Sequence, residues 1–284
     1  MIDRFYQTCF EAGTNCQLRQ VGDKDAAAIR GRVDRLIRAL ETSPVAVVQD
    51  GRVHLVTSRL IRETIRQTLY HPICSYEALS EVLSQSLRDN HTALVSRGPN
   101  LCTRPARTYA LPECPWCDEA AMGVLCGDSA AAASDRPRSV AWARDLVHFF
   151  QKQSPTAGEP WSHNVLACAG WQFRPKFAFG GPFGTPAPGT TANAPAAPLL
   201  ILANRFDHAT PLANAFALSK AHGGSVVVVQ ESVGHVALLT STSRCTADIV
   251  REYFETGKVP ATGTQCPEDC KAGIPFKPCP GLVD

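Results

Sequence analysis

The sequence predicts an α/β chain in which a helical layer comes first and a strand, helix, strand unit of a parallel sheet comes last. Three observations carry this. Apolar residues in the first ninety positions recur at the helical period, with no strand rich enough to build a large sheet. Residues 175–198 are a run of Pro, Gly, Ala and Thr in which no regular element lasts, and they mark the strongest boundary. Beyond them LLILA (199–203) and SVVVVQ (225–230) are buried-strand runs with a helical pattern between. The chain thus divides into a helical region 1–174, a connection 175–198 and a C-terminal α/β part 199–284.

Ile29, Val33, Leu36, Ile37 and Leu40 line one face of a helix that begins near Asp25, and Ser43-Pro44 stops it. VAVV, Gln49-Asp50-Gly51 and VHLV predict a small hairpin with a D-G turn. Two amphipathic helices follow, one capped by Ser58 (Ile61, Ile65, Leu69) and one by Ser75 (Leu79, Val82, Leu83, Leu87). Residues 91–121, with Pro105, Pro112 and Pro115, predict a loop held by cysteines; a helix is expected over Val140–Phe150. In the last part LLILA is expected to be fully buried. Thr210 caps a helix with Pro211 at its first position, and Gly223-Gly224 ends it. A final helix spans 246–257, with Ile249, Val250, Tyr253 and Phe254 on one face.

The 284 residues are 44% hydrophobic and 19% charged with a formal net charge of +2, the balance of a globular chain. Cations scattered among acids form no basic face, so nucleic acid is not an expected partner. No run approaches the roughly 18 apolar residues of a spanning helix, so neither is a membrane. MIDRFYQTCF has acidic and polar residues where a secretory apolar region should be, so the chain as written carries no export signal. Twelve cysteines nevertheless suit an oxidising compartment, and the sequon Asn90-His91-Thr92 points the same way. The conflict leads to the expectation that the true N-terminus lies elsewhere.

In a parallel sheet, functional side chains gather in loops past the carboxyl ends of the strands. The first strand runs into Asn204-Arg205-Phe206-Asp207 and the second into Glu231-Ser232-Val233-Gly234-His235. Asp207 alone reads as a turn residue and His235 alone as a loop histidine. Placed after successive strands, they form a carboxylate able to hold an imidazole in one tautomer, as the acid and base of a Ser-His-Asp triad do. The order Asp then His is that of the α/β-hydrolases. A candidate nucleophile is Ser129: GVLCGDSAAA (123–132) reads as an apolar run, a tight turn and a helix, close to the G-x-S-x-G elbow.

The segment PLLILANRFDHATPLANAFALSKAHGGSVVVVQESVGH, with its D-x-x-T-P-L and G-H motifs, resembles the end of secreted α/β-hydrolases similar to tripeptidyl and prolyl aminopeptidases. STSRCTADIVREYFETGKVPATGTQC is similar to that family's C-terminal stretch, and RFYQTCFEAGTNC, the segment ending at Asp128, ACAGW and GGPF resemble its cap. The resemblance implies a partial α/β-hydrolase, a helical cap followed by the last βαβ unit. Asp207 and His235 match the triad acid and base, the substrate is a peptide cut from its N-terminus, and no cofactor or metal is called for. It also implies disulfides Cys126–Cys168, Cys245–Cys266 and Cys9–Cys16, and a secreted protein. In the family the G-x-S-x-G nucleophile and oxyanion hole precede the cap, and no G-x-S-x-G occurs in the 284 residues. The resemblance assigns Ser129 to the cap as a structural serine. The expectation is therefore a chain with little or no hydrolysis alone. Two alternatives stay open: an active hydrolase using Ser129, and a non-catalytic module completing a sheet with a partner chain that carries the missing half. Alone, the chain would leave the edge of LLILA unpaired where a neighbouring strand should lie, an aggregation liability.

Other features carry less. Cys114-Pro-Trp-Cys117 with Cys102 and Cys126 offers four thiolates for zinc, or a redox pair, but lacks a second C-x-x-C and lies in a Pro-rich loop. His148, His163 and His222 have no partner at ligand spacing, and Trp161, Trp171, Phe173 and Phe183 either line a pocket beneath the cap or belong to the core.

Overall fold

Five helices and a hairpin are wrapped around one apolar core at the N-terminal side of the computed structural model, which describes residues 1–99, 101–102, 118–128, 139–171, 173, 175–177, 181 and 183–269. The elements are α1 (Ile2–Ala12), α2 (Ala26–Thr42), β1 (Val45–Gln49), β2 (Arg52–Val56), α3 (Ser58–Thr68), α4 (Pro72–Ser86) and α5 (Thr92–Arg97). The Asp25 carboxylate accepts the Ala28 N–H at 3.0 Å and so caps α2, an interaction worth about 1 kcal/mol. The expected stripe of α2 is buried at Ile29, Val33, Ile37 and Leu40. These meet Phe5, Tyr76, Leu79 and Leu83, none of which reaches solvent. Asp50 and Gly51 both have positive φ (51° and 71°), so the hairpin turns as D-G predicts.

Several boundaries differ from expectation. The hydroxyl of Thr57, not Ser58, caps α3 by accepting the Leu60 N–H. Helix α4 begins at Pro72, whose missing N–H costs nothing in a first turn, so Ser75 lies inside it and donates to the Thr68 and His71 carbonyls. The stretch expected as a loop over 91–121 contains α5 and the start of α6 (Asp118–Asp128). GVLC therefore lies within a helix rather than on a strand, because the small residues and leucine of DEAAMGVLCGD continue a helix more readily than they pleat.

Two further helices, α7 (Val140–Gln153) and α8 (Gly158–Cys168), pack against each other so closely that a Cβ on Gly158 would stand 2.1 Å from the Phe150 carbonyl oxygen. The expected helix from Val140 is capped by Ser139, while α8 was not expected. Arg62 of α3 donates to the Pro155 carbonyl at 2.8 Å and pairs with Glu159 at 3.3 Å, tying this helix pair to the N-terminal body.

The sheet consists of β3 (Leu200–Phe206), β4 (Val226–Val233) and β5 (Gln265–Cys266), all parallel, in the order β3-β4-β5. Helix α9 (Leu212–Ala221) connects β3 to β4, as the βαβ pattern predicts, and α10 (Ala237–Thr240) and α11 (Arg244–Thr256) connect β4 to β5. Strand β4 is buried along nearly its whole length, but β3 is only half-buried, contrary to expectation, because it is an edge strand among the described residues. Ala203, Val227 and Val229 form a small core with Leu212 and Ala215. The predicted apolar face of α11 is poorly covered: Phe254 is 81% exposed. Helix α9 stops at Ala221, short of Gly223-Gly224, and the His222 that follows it bonds the Thr185 hydroxyl at 2.9 Å through Nδ1, a partner that spacing did not suggest.

Among the described residues four disulfides are present: Cys9–Cys16, Cys74–Cys102, Cys126–Cys168 and Cys245–Cys266. Three are the pairings the resemblance implied, and such bonds fit an extracellular protein. Cys102 and Cys126 are thereby consumed, which removes the four-thiolate zinc set; Cys114 and Cys117 lie outside the described residues. No described helix is long and apolar enough to cross a membrane.

Candidate active site

Strands β3 and β4 run in register from Leu200↔Val226 to Asn204↔Gln230, and the register breaks between Asn204 and Phe206. The two chains separate there, and the loops that follow bring Asp207 and His235 together. His235 Nδ1 stands 3.0 Å from Asp207 Oδ2 and 3.2 Å from Oδ1. Asp207 is 9% exposed, and its carboxylate also accepts the Ala209 N–H (2.8 Å), the Thr210 N–H (2.9 Å) and the Thr210 hydroxyl (2.8 Å). Burial by itself pushes the Asp207 carboxyl up, but the Thr210 N–H and hydroxyl, the Ala209 N–H and His235 outweigh it and hold the group below its ordinary value. Thr210 is therefore not the helix cap the sequence suggested. Its hydroxyl serves the carboxylate, and α9 starts without a side-chain cap.

A buried polar cluster supports the second loop. Asn204 Nδ2 donates to the Gly234 carbonyl (2.8 Å) and the Thr240 hydroxyl (2.9 Å), while the Ser232 hydroxyl donates to Asn204 Oδ1. Gln230 Nε2 donates to the Ala237 carbonyl and to the Ser241 hydroxyl, each at 2.8 Å. Gly234 has φ +103°, and a Cβ there would stand 2.7 Å from Pro72 Cδ, 2.9 Å from Thr240 Cγ2 and 3.0 Å from the Tyr70 carbonyl oxygen. Only glycine fits. Val236, directly after the histidine, has φ +71°, a conformation that costs a β-branched residue energy and that functional loops often retain.

Next to the pair lies a cavity of about 260 Å³, lined by Arg66, Tyr70, Phe150, Trp161, His208 and Ala209 among others. Of the four aromatics singled out from sequence only Trp161 reaches it; Phe173 and Phe183 are 75% and 68% exposed, so neither is core. Arg66 is paired with Glu63 at 2.9 and 2.6 Å, which balances the cavity's cation. His208 has both ring nitrogens buried without a hydrogen-bond partner. Burial drives its pKa down to about 4; Asp207, second only to burial, opposes this, and His235 and Arg66 add weaker pushes downward, so it is neutral at physiological pH. Sequence reasoning missed His208, Tyr70 and Asn204. His208 sits inside D-x-x-T-P and was visible as the residue beside the acid; Tyr70 lies too far along the chain for any local pattern to connect it with His235.

Ser129 lies outside the described residues, but the segment leading to it is helical through Asp128, whereas a nucleophile elbow follows a strand. The strand, turn, helix reading of GVLCGDSAAA is thus corrected up to that point.

A parallel three-stranded sheet with an aspartate and a histidine past successive strands is consistent with part of an α/β fold. Residues 154–266 match the family described as TAP-like protein, so this segment is similar to a C-terminal TAP-like domain of an α/β-hydrolase. The match runs from directly after α7 through β5 and includes Asp207 and His235. No curated protein matches the chain.

Proposed function

We propose that Asp207 and His235 are the acid and base of a secreted serine hydrolase that cleaves peptides from the N-terminus by acyl transfer. The 3.0 Å contact between His235 Nδ1 and Asp207 Oδ2 carries this reading. With Nδ1–H donated to the carboxylate, Nε2 is the nitrogen left to act. It takes the proton of a serine hydroxyl as Oγ bonds to the scissile carbonyl carbon, then gives that proton to the leaving amine as the C–N bond breaks; water releases the acyl group by the same route. Asp207 stays ionised throughout and stabilises the imidazolium. The aromatic walls of the neighbouring cavity suit an uncharged, bulky side chain of the peptide, since Glu63 already balances Arg66.

The serine and the oxyanion hole are the parts that these 284 residues do not supply in recognisable form, so the chain by itself is expected to hydrolyse little. A fluorophosphonate probe tests this. No labelling of the 284-residue chain supports the reading, and labelling that disappears in Ser129→Ala overturns it in favour of Ser129.

One observation favours a second reading, a sheet-completing module. Leu199, just before β3, and Phe206, at its end, are 37% and 43% exposed, and Phe216 and Leu218 of α9 are 47% and 45% exposed, although parallel sheets are ordinarily covered on both faces. Activity that arises only on mixing with a chain bearing the nucleophile and further strands would support it; a soluble, monodisperse chain that binds no such partner would contradict it.

A further inference from the structure

We propose that Tyr70, from the N-terminal helical body, is a positioning residue for the His235 imidazole; this rests on the acid–base reading of the Asp207–His235 pair. Three contacts converge. The Tyr70 carbonyl accepts the His235 backbone N–H at 3.0 Å, which fixes the histidine's main chain to the corner between α3 and α4. The Tyr70 ring meets the His235 ring edge-to-face, with centroids 5.3 Å apart and planes at 85°. The same corner also closes on Gly234, where Pro72 Cδ and the Tyr70 carbonyl oxygen leave no room for a Cβ.

The Tyr70 ring is itself held. Arg66 lies over it at 5.7 Å and reaches its hydroxyl at 3.4 Å, and Glu63 holds Arg66. The ring also meets His208 edge-to-face at 4.5 Å and 87°. Tyr70 thus contacts both imidazoles. The hydrogen bond to Asp207 fixes Nδ1 but leaves the ring free to swing about that contact. A rigid aromatic neighbour removes the swing, so Nε2 keeps one direction. An enzyme loses rate steeply when a base is misplaced by about 1 Å, so the helical body contributes to the chemistry through this corner.

The test reads the His235 ring directly. Imidazole ¹⁵N spectra and the downfield Nδ1–H proton resonance are recorded for the wild-type chain, Tyr70→Phe, Tyr70→Leu and Tyr70→Ala, each checked by thermal unfolding. Wild type and Tyr70→Phe, which keeps the ring, are expected to show one Nδ1–H tautomer with a slowly exchanging proton. Tyr70→Leu and Tyr70→Ala are expected to lose the downfield resonance and average the two nitrogen shifts. Folded Tyr70→Ala protein with the wild-type spectrum would overturn the positioning role. Tyr70 is half-buried and outside the helical core, so loss of folding in both truncated variants would assign it a purely structural part and overturn the role as well. Absence of the Nδ1–H tautomer in wild type would instead sink the acid–base pair on which the role depends.

Discussion

The Thr210 hydroxyl donates to the same oxygen of Asp207 that His235 Nδ1 contacts, at 2.8 Å beside the histidine's 3.0 Å. Thr210→Val keeps the shape and removes the donor. Hydrogen bonds to charged groups contribute about 1.5–3 kcal/mol, so unfolding free energy should fall within that range in denaturant titration. The Asp207 carboxyl pKa should also rise in a ¹³C-detected titration, because one of the groups holding it down is gone.

Gly234→Ala should be far more costly than an ordinary loop substitution. The new methyl meets Pro72 Cδ at 2.7 Å and the Tyr70 carbonyl oxygen at 3.0 Å on a backbone at φ +103°. A loss of more than about 2 kcal/mol is expected by chemical denaturation. Adding Pro72→Ala should restore only part of it, since the backbone strain and the carbonyl clash persist.

Val236 is 42% exposed, so replacing it forfeits little burial, while its φ of +71° with ψ of 107° lies outside the left-handed well and is readily adopted only by glycine. Val236→Gly should therefore raise stability by about 1 kcal/mol, the relieved strain exceeding glycine's added chain entropy. A midpoint shift in urea with unchanged slope would verify it.

Stability should also depend on pH with a definite sign. His208 is held neutral in the fold down to about pH 4, whereas the unfolded chain protonates it near 6.5. Between those values the unfolded state binds more protons, so stability falls as pH drops from about 6.5 to about 4, by on the order of 2–3 kcal/mol. Asp207, held below its ordinary value, adds a further loss as pH falls beneath about 4. Thermal melts across this range should show the first slope flatten in His208→Phe, and an unchanged slope would contradict the assignment.

Much of the fold was legible because it is local. The start of α2 near Asp25, the stripe of α2, the D-G hairpin and the apolar runs of β3 and β4 are set by residues within one element. Helix α8 and the two-residue β5 were not legible: α8 owes its place to packing on α7, and β5 to pairing with β4 and the Cys245–Cys266 bond. The acid and histidine could be read from their places after successive strands. Thr210 was misassigned because Thr-Pro before a helix fits a cap equally well, and only the fold reveals which acceptor is nearer. The Tyr70 corner depends on two segments meeting across the molecule, which no sequence window contains.

The central claim is that Asp207 and His235 form one acid–base unit, and the tautomer of His235 tests it most directly. At neutral pH the ¹⁵N spectrum of the wild-type chain should show His235 protonated at Nδ1 alone, with a downfield proton resonance that Asp207→Asn abolishes. An Nε2–H tautomer, or a resonance indifferent to Asp207→Asn, would contradict it.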